Sequence, residues 1–279
     1  MLVYYLAEID LPNTSAYAIH VLKMCDALAQ NCKVTLILFS KNRINFSKIK
    51  RDFFLKNNFK IIYYSSKPNK KNFFYRLRFA LFCNKIVENN SLIISRSIIS
   101  SMYLAFCRKF NYLEIHHNLT GLTKILFFFK NFFFKKIFFI LLHKNLKKIL
   151  SINKNYIILD DAVDINNFKK KRRIKFTFSY LGNLYEGKGI EIVVDLAKEF
   201  PNHDFNIFGD INFADIKIIN LIKKNRLNNL KLHNHVNYLS AVKIIQASKY
   251  LLMPYLKKVA VRSKNLNVSN FMSPLKMFD

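Results

Sequence analysis

The chain has 279 residues, about two domains at roughly 150 residues each. Its hydrophobic fraction of 51% can bury real cores, which excludes a disordered tail or a fibrous protein. Lys and Arg number 46 against 17 Asp and Glu, and the resulting +29 invites nucleic acid or an anionic membrane surface as a partner. A competing source is an AT-rich codon bias, which enriches Lys, Asn, Ile and Phe together; 28 Phe and no Trp fit it. Cys25, Cys32, Cys83 and Cys107 have no C-x-x-C spacing and no His partner at ligand distance, so they read as buried thiols in a reducing compartment. The first residues carry no basic stretch before a long apolar run, and Glu8 and Asp10 come early. A cytoplasmic protein without a signal peptide or spanning helix is the expectation.

In chain order, residues 2–7 read as a buried strand, followed by a polar loop through Pro12. Asn13, Thr14 and Ser15 offer helix-capping chemistry. Ala18, Val21, Leu22, Cys25, Leu28 and Ala29 then recur at helical spacing. Apolar runs at 34–39, 61–64, 92–95 and 112–115 alternate with helical stretches, the pattern of a parallel sheet covered on both faces. Residues 122–150 (LTKILFFFKNFFFKKIFFILLHKNLKKIL) are expected to form one long helix. It is either a core helix written in Phe, or a basic aromatic helix lying in a lipid headgroup interface through Lys130, Lys135 and Lys136. Residues 168–173 form a basic run suited to a linker, which divides the chain into domains 1–165 and 166–279. Beyond it, strands at 176–181, 204–208, 230–232 and 250–254 alternate with helices at 190–200, 215–224 and 240–248. The expected class is α/β, with two doubly wound, Rossmann-like domains.

Four of the five glycines, Gly182, Gly187, Gly189 and Gly209, fall in one window. Gly182 follows a strand, and Lys188-Gly189 precedes a helix. Such a junction can present backbone N–H groups, a helix start and an ammonium to an anion, or it can be an ordinary tight connection. The spacing fits neither a Walker A loop nor a GxGxxG fingerprint. Asp160, Asp161 and Asp164 suit turn and capping roles, and no DxD metal site is apparent. His116 closes a strand, where a structural role competes with a functional one, and His20 reads as a supporting or structural residue.

The string YLGNLYEGKGIEIVVDLAKEFPNHDFNIFGD resembles the donor-binding half of the family 4 glycosyltransferases, retaining enzymes of the GT-B fold. LPNTSAYAIHVLKMCDALAQ resembles that family's opening loop and first helix, and LIISRS and YLEIHHNLTGL resemble its segments around the fifth strand. ILDDAVDINNF resembles its crossover, and SPLKMFD a Ser-Pro-Leu-Lys stretch found in a subset. The resemblance implies two domains facing a cleft, with a nucleotide-sugar donor against the second and a glycan or lipid-linked acceptor against the first. It implies catalytic roles for His116 and Asp279, and donor contacts from Gly182, Asn183, Lys188, Gly209, Ser273, Pro274, Leu275 and Lys276. Asn13, Thr14, Ser15 and His20 would form the acceptor-side loop. No metal or other cofactor is expected, because Lys188, helix starts and the amides near residue 274 would stabilise the leaving diphosphate.

This chain departs from the pattern in places. Asn183 stands where the family has Arg, and Phe271 and Asp279 stand where it has a pair of Glu. The segment 151–159 is short, and the sequence stops where the family continues, so the second domain is expected to be incomplete. Two other functions compete. A nucleotide-sugar 2-epimerase on the same fold would need acidic groups at the anomeric centre. An inactive basic-aromatic protein could instead bind membrane or RNA. RNA would want aromatics and basic residues interleaved over an exposed platform, so nucleic acid is not the expected partner and an anionic membrane surface is the better fit.

Overall fold

The computed structural model describes residues 1–13, 15–40, 43–64, 72–119, 121–129, 135–162 and 173–259. The chain divides into two compact units, Met1–Asp161 and Ala162–Asp279. The basic run at 168–172 lies outside the described residues.

The first unit is built on a seven-stranded parallel sheet in the order β3-β2-β1-β4-β5-β6-β7. Its strands are β1 (Leu2–Ala7), β2 (Lys33–Phe39), β3 (Lys60–Tyr64), β4 (Leu92–Ser95), β5 (Asn111–Ile115), β6 (Ile137–Leu141) and β7 (Tyr156–Ile158). Central β1 is continuously apolar because both of its faces are covered. Tyr5 lies beside Leu36 on one side and Ile94 on the other. On one face, Val3, Tyr5 and Leu36 pack with Ala18, Val21, Leu22 and Cys25 of α1 (Ala16–Leu28). On the other, Tyr4, Leu6, Ile37 and Phe39 meet Phe79 and Cys83 of α3 (Phe73–Ile86) and Leu104 of α4 (Ile98–Phe106). The remaining short helix in this half is α2 (Phe46–Asp52).

The long helix expected over 122–150 does not form. The described part of that stretch is α5 (Gly121–Phe128), then β6, then α6 (Lys144–Ile149). Ile137, Phe139 and Leu141 are buried while Phe138 and Ile140 between them are half-buried, a period of two that no helix gives. Both edges of β6 are paired, with Leu113 and Tyr156 flanking Phe139. Fully burying a side chain like Phe139 stabilises by roughly 1.5–3 kcal/mol, and here both faces of the strand are covered. Aromatic residues on both sides of the backbone fit a covered strand and would leave a helix with an apolar surface all round. Lys130 and residues 131–134 lie outside the described residues.

The second unit has a four-stranded parallel sheet ordered β10-β9-β8-β11. Its elements in sequence are β8 (Phe176–Leu181), α7 (Ile190–Glu199), β9 (Phe205–Phe208), α8 (Ile216–Asn225), β10 (Leu230–His233), α9 (Tyr238–Gln246) and β11 (Ser248–Leu251). The last strand begins and ends earlier than the expected 250–254, and among the described residues it pairs only with β8. Tyr180, Ile190, Val193, Phe205, Ile207 and Ile218 form the core of this unit. Residues 260–279, with the helix expected from Ser273, lie outside the described residues.

Candidate functional site

In each sheet the chain leaves the first strand, winds to one side, and returns to the other side of it. That reversal opens a crevice at the carboxyl ends of β1 and β4 in the first unit, and of β8 and β11 in the second. The residues of interest gather at these two places.

At the end of β5, Glu114 points into the first unit with only 5% of its side chain exposed. Its Oε2 accepts the Tyr5 hydroxyl at 2.5 Å. Its Oε1 is shared by two imidazoles, His20 Nε2 at 2.7 Å and His116 Nε2. The two rings meet edge to face with centroids 4.6 Å apart. On its other side, His20 Nδ1 lies 3.7 Å from Asp161 Oδ1, a carboxylate that is itself buried. Local sequence explains the delivery. Ser15 caps α1 by accepting from the Ala18 amide at 3.3 Å, and Asn13 Oδ1 accepts from the Ser15 amide, so His20 projects from the second turn of a fixed helix. Asp161 follows β7 by two residues past Leu159, whose amide bonds to Leu141.

Arg96, immediately after β4, supplies the positive charge. Its guanidinium stacks over the Tyr17 ring at 4.3 Å, and its backbone amide bonds to Leu6. Its Nη1 is buried and donates to no partner among the described residues. Burial alone would raise the Glu114 carboxyl. The hydrogen bonds from His116 and His20 and the charge of Arg96 outweigh burial and hold Glu114 well below the usual carboxylate range, so it is ionised. Burial pushes the His116 imidazole down, with the Glu114 hydrogen bond opposing it. The Tyr5 phenol is pushed up, chiefly by burial and next by the Glu114 charge, and stays a donor. A separate pair lies beyond β1, where Glu8 accepts from Arg76 at 2.8 Å and from Ser97 at 2.5 Å.

In the second unit Gly182 follows β8, and Lys188 stands between Gly187 and Gly189 at the start of α7. Gly189 caps that helix at φ 74°, and an added Cβ would sit 1.7 Å from the Pro254 carbonyl oxygen. Gly187 has φ 81° and would bring a Cβ to 1.9 Å from the Lys258 carbonyl. Both glycines are required by backbone packed on backbone and by the left-handed conformation. The Lys188 ammonium lies over the Tyr255 ring at 4.7 Å, and burial pushes its pKa down. Asn183 is exposed, and its carbonyl accepts the Tyr180 hydroxyl at 2.8 Å. Gly209 backs Gly182, whose oxygen a Cβ at 209 would meet at 2.5 Å. Glu191, in the first turn of the same helix, carries a buried Oε2 without a partner among the described residues.

The structure therefore brings His116 and His20 together and gathers Gly182, Asn183, Lys188 and Gly209 around one loop. Asn13 and Ser15 act locally on α1. Thr14, Ser273, Pro274, Leu275, Lys276 and Asp279 lie outside the described residues, as does Asp164. His20 belongs to the cluster, in keeping with a supporting or structural role, and Asp161, for which a turn or capping role was expected, is also a buried neighbour of His20. Sequence reasoning gave no role to Tyr5 or Arg96 and only a turn or capping role to Asp161. The available signal was a charged residue directly after an apolar strand, which Arg96 shows and Tyr5 and Asp161 do not.

No family model matches the chain, and no curated protein matches it in sequence. Solved structures do match in fold. A glycosyltransferase from Rickettsia africae ESF-5 superposes with a TM-score of 0.65 at 13% identity, over 91% of this chain and 73% of that one. A variant of TarM from S. aureus, in complex with Fondaparinux, alpha-GlcNAc-glycerol and UDP, gives 0.63 at 11% identity, over 90% and 80%. A UDP-GlcNAc 2-epimerase from Neisseria meningitidis, bound to UDP-GlcNAc, gives 0.55 at 14% identity, over 90% and 77%. At these identities the likeness establishes the fold, two parallel α/β units of the GT-B type.

Proposed function

We propose that this chain is a retaining glycosyltransferase that takes a sugar from a nucleotide-sugar donor and passes it to a glycan or lipid-linked acceptor in cell-surface polysaccharide synthesis. The observation that carries the reading is the loop from Gly182 to Gly189, which puts a lysine and the free amides of a helix start at the strand-order reversal of the second unit. In this reading Lys188 and the start of α7 take the diphosphate, so that step needs no divalent ion. His116 contacts the donor sugar, held in place by Glu114. The acceptor meets the region of Asn13, Ser15 and His20. Residues 273–276 and Asp279 complete the donor site as the sequence resemblance implies.

Support comes from solved structures of the same fold that hold UDP with glucose or with alpha-GlcNAc-glycerol. Among the described residues no helix is long and apolar enough to cross a membrane. We place the protein on the cytoplasmic side, with α5 touching the membrane through the exposed Leu122, Ile125 and Phe128. The test is a thermal-shift screen of UDP- and GDP-sugars, followed by assay of nucleoside diphosphate release with and without acceptor. Failure of every nucleotide-sugar to raise the melting temperature would sink the reading.

A 2-epimerase is the second reading, favoured by the buried carboxylates Glu114 and Asp161 beside two imidazoles, the acidic groups that the sequence alone did not gather. Conversion of UDP-GlcNAc to its 2-epimer without acceptor distinguishes it from transfer.

A further inference from the structure

We propose that His20, His116 and Asp161 form a site for one divalent transition-metal ion of the zinc class. One ligand atom from each of the three lies within 4.8 Å of the other two, inside the first unit. A tetrahedral ion with bonds of about 2.1 Å wants its ligands about 3.4 Å apart, and the His20 Nδ1 to Asp161 Oδ1 distance of 3.7 Å is already close to that.

The arrangement of side chains prepares the site. Glu114 Oε1 bonds both imidazoles, at His20 Nε2 and His116 Nε2, and on the far side of its ring His20 Nδ1 faces Asp161 Oδ1. An imidazole whose far nitrogen is held by a carboxylate is the common arrangement behind metal-bound histidine, and here one carboxylate orients two rings at once. Tyr5 holds the second oxygen of that carboxylate and keeps it from rotating away. Two nitrogens and one oxygen select zinc, cobalt or nickel over magnesium or calcium, which prefer all-oxygen shells. Two carboxylates against the single guanidinium of Arg96 keep the pocket favourable for a positive ion. All three residues lie in the first unit, His20 and His116 are also the ones that the proposed transfer reaction uses, and the metal readout does not depend on activity.

The test uses the full chain, purified without a histidine tag and stripped with EDTA, titrated with Co²⁺ while the visible absorption is followed. Ligand-field bands saturating at one Co²⁺ per chain, displaced by Zn²⁺, together with a higher melting temperature in Zn²⁺, are the expected result. His20→Gln and Asp161→Asn should each weaken Co²⁺ binding by about tenfold or more, and Glu114→Gln by roughly 10–100-fold. His233→Gln, a histidine of the second unit paired with Asn206, should leave binding unchanged. Metal-free melts of the variants separate a lost site from a lost fold, and the wild-type titration needs no variant. A wild-type chain that takes up no Co²⁺ overturns the proposal, as do folded His20→Gln and Asp161→Asn chains that bind it as tightly as wild type.

Discussion

At the strand ends of the first unit the polar atoms belong to side chains drawn from five separate places, β1, α1, β5, the turn after it and the segment after β7. At those of the second unit the close approach is between backbones, Gly187 and Gly189 against residues 254 and 258. The first arrangement is electrostatic, with a buried carboxylate satisfied by three donors. The second is steric, with space that any Cβ would fill. A site of side chains tolerates no loss of a partner, because the groups left behind stay buried and unpaired. A site of backbone tolerates most changes of side chain but none that adds bulk.

That contrast can be broken by mutation, and the largest effect is expected in the second unit. Gly189→Val forces a β-branched residue into a left-handed conformation and drives its Cβ into the Pro254 carbonyl. A loss of about 4 kcal/mol or more in urea unfolding is expected, and a shift below about 1 kcal/mol would mean the loop relaxes freely. Next comes Glu114→Leu, which strands the Tyr5 hydroxyl and two imidazoles in the core and should cost about 3 kcal/mol. If Glu114→Leu is as stable as wild type, the cluster contributes nothing to folding and exists for its ligand.

Lys188→Ala sharpens the comparison from the other side. Removing one charge-assisted contact should lower donor affinity by about 1.5–3 kcal/mol while the melting temperature hardly moves. Calorimetric titration with the stabilising nucleotide-sugar reads this, and unchanged affinity removes Lys188 from the donor site. The smallest effect on folding is expected on α5, where Leu122, Ile125 and Phe128 are exposed. Replacing all three with Ser should change stability by about 0.5 kcal/mol or less per site yet reduce co-sedimentation with anionic vesicles. Equal sedimentation of variant and wild type counts against a membrane role for this helix, and equal binding of wild type to neutral and anionic vesicles counts against an electrostatic contribution.

Much of the architecture could be read from local pattern. The strands at 2–7, 92–95 and 176–181 coincide with those observed, because runs of four to seven apolar residues between polar turns have few other ways to be buried. Capping chemistry at Ser15 marked a helix start for the same local reason: the hydrogen bond spans three residues. The stretch 122–150 was not legible, since Phe on every side erases the difference between a period of two and one of 3.6, and only pairing with β5 and β7 makes residues 137–141 a strand.

The candidate sites divide along the same line. The glycine loop was visible because Gly182, Lys188 and Gly189 act within a few residues of one another, and backbone freedom is a property of the residue itself. The buried cluster was not, because His20 and Glu114 are 94 residues apart and Tyr5 and Glu114 are 109 apart. Composition and periodicity determined that this chain makes two parallel α/β units and where its backbone must bend. Which of its charged residues share one desolvated pocket was decided by the order of the strands, since that order alone sets which carboxyl ends lie side by side.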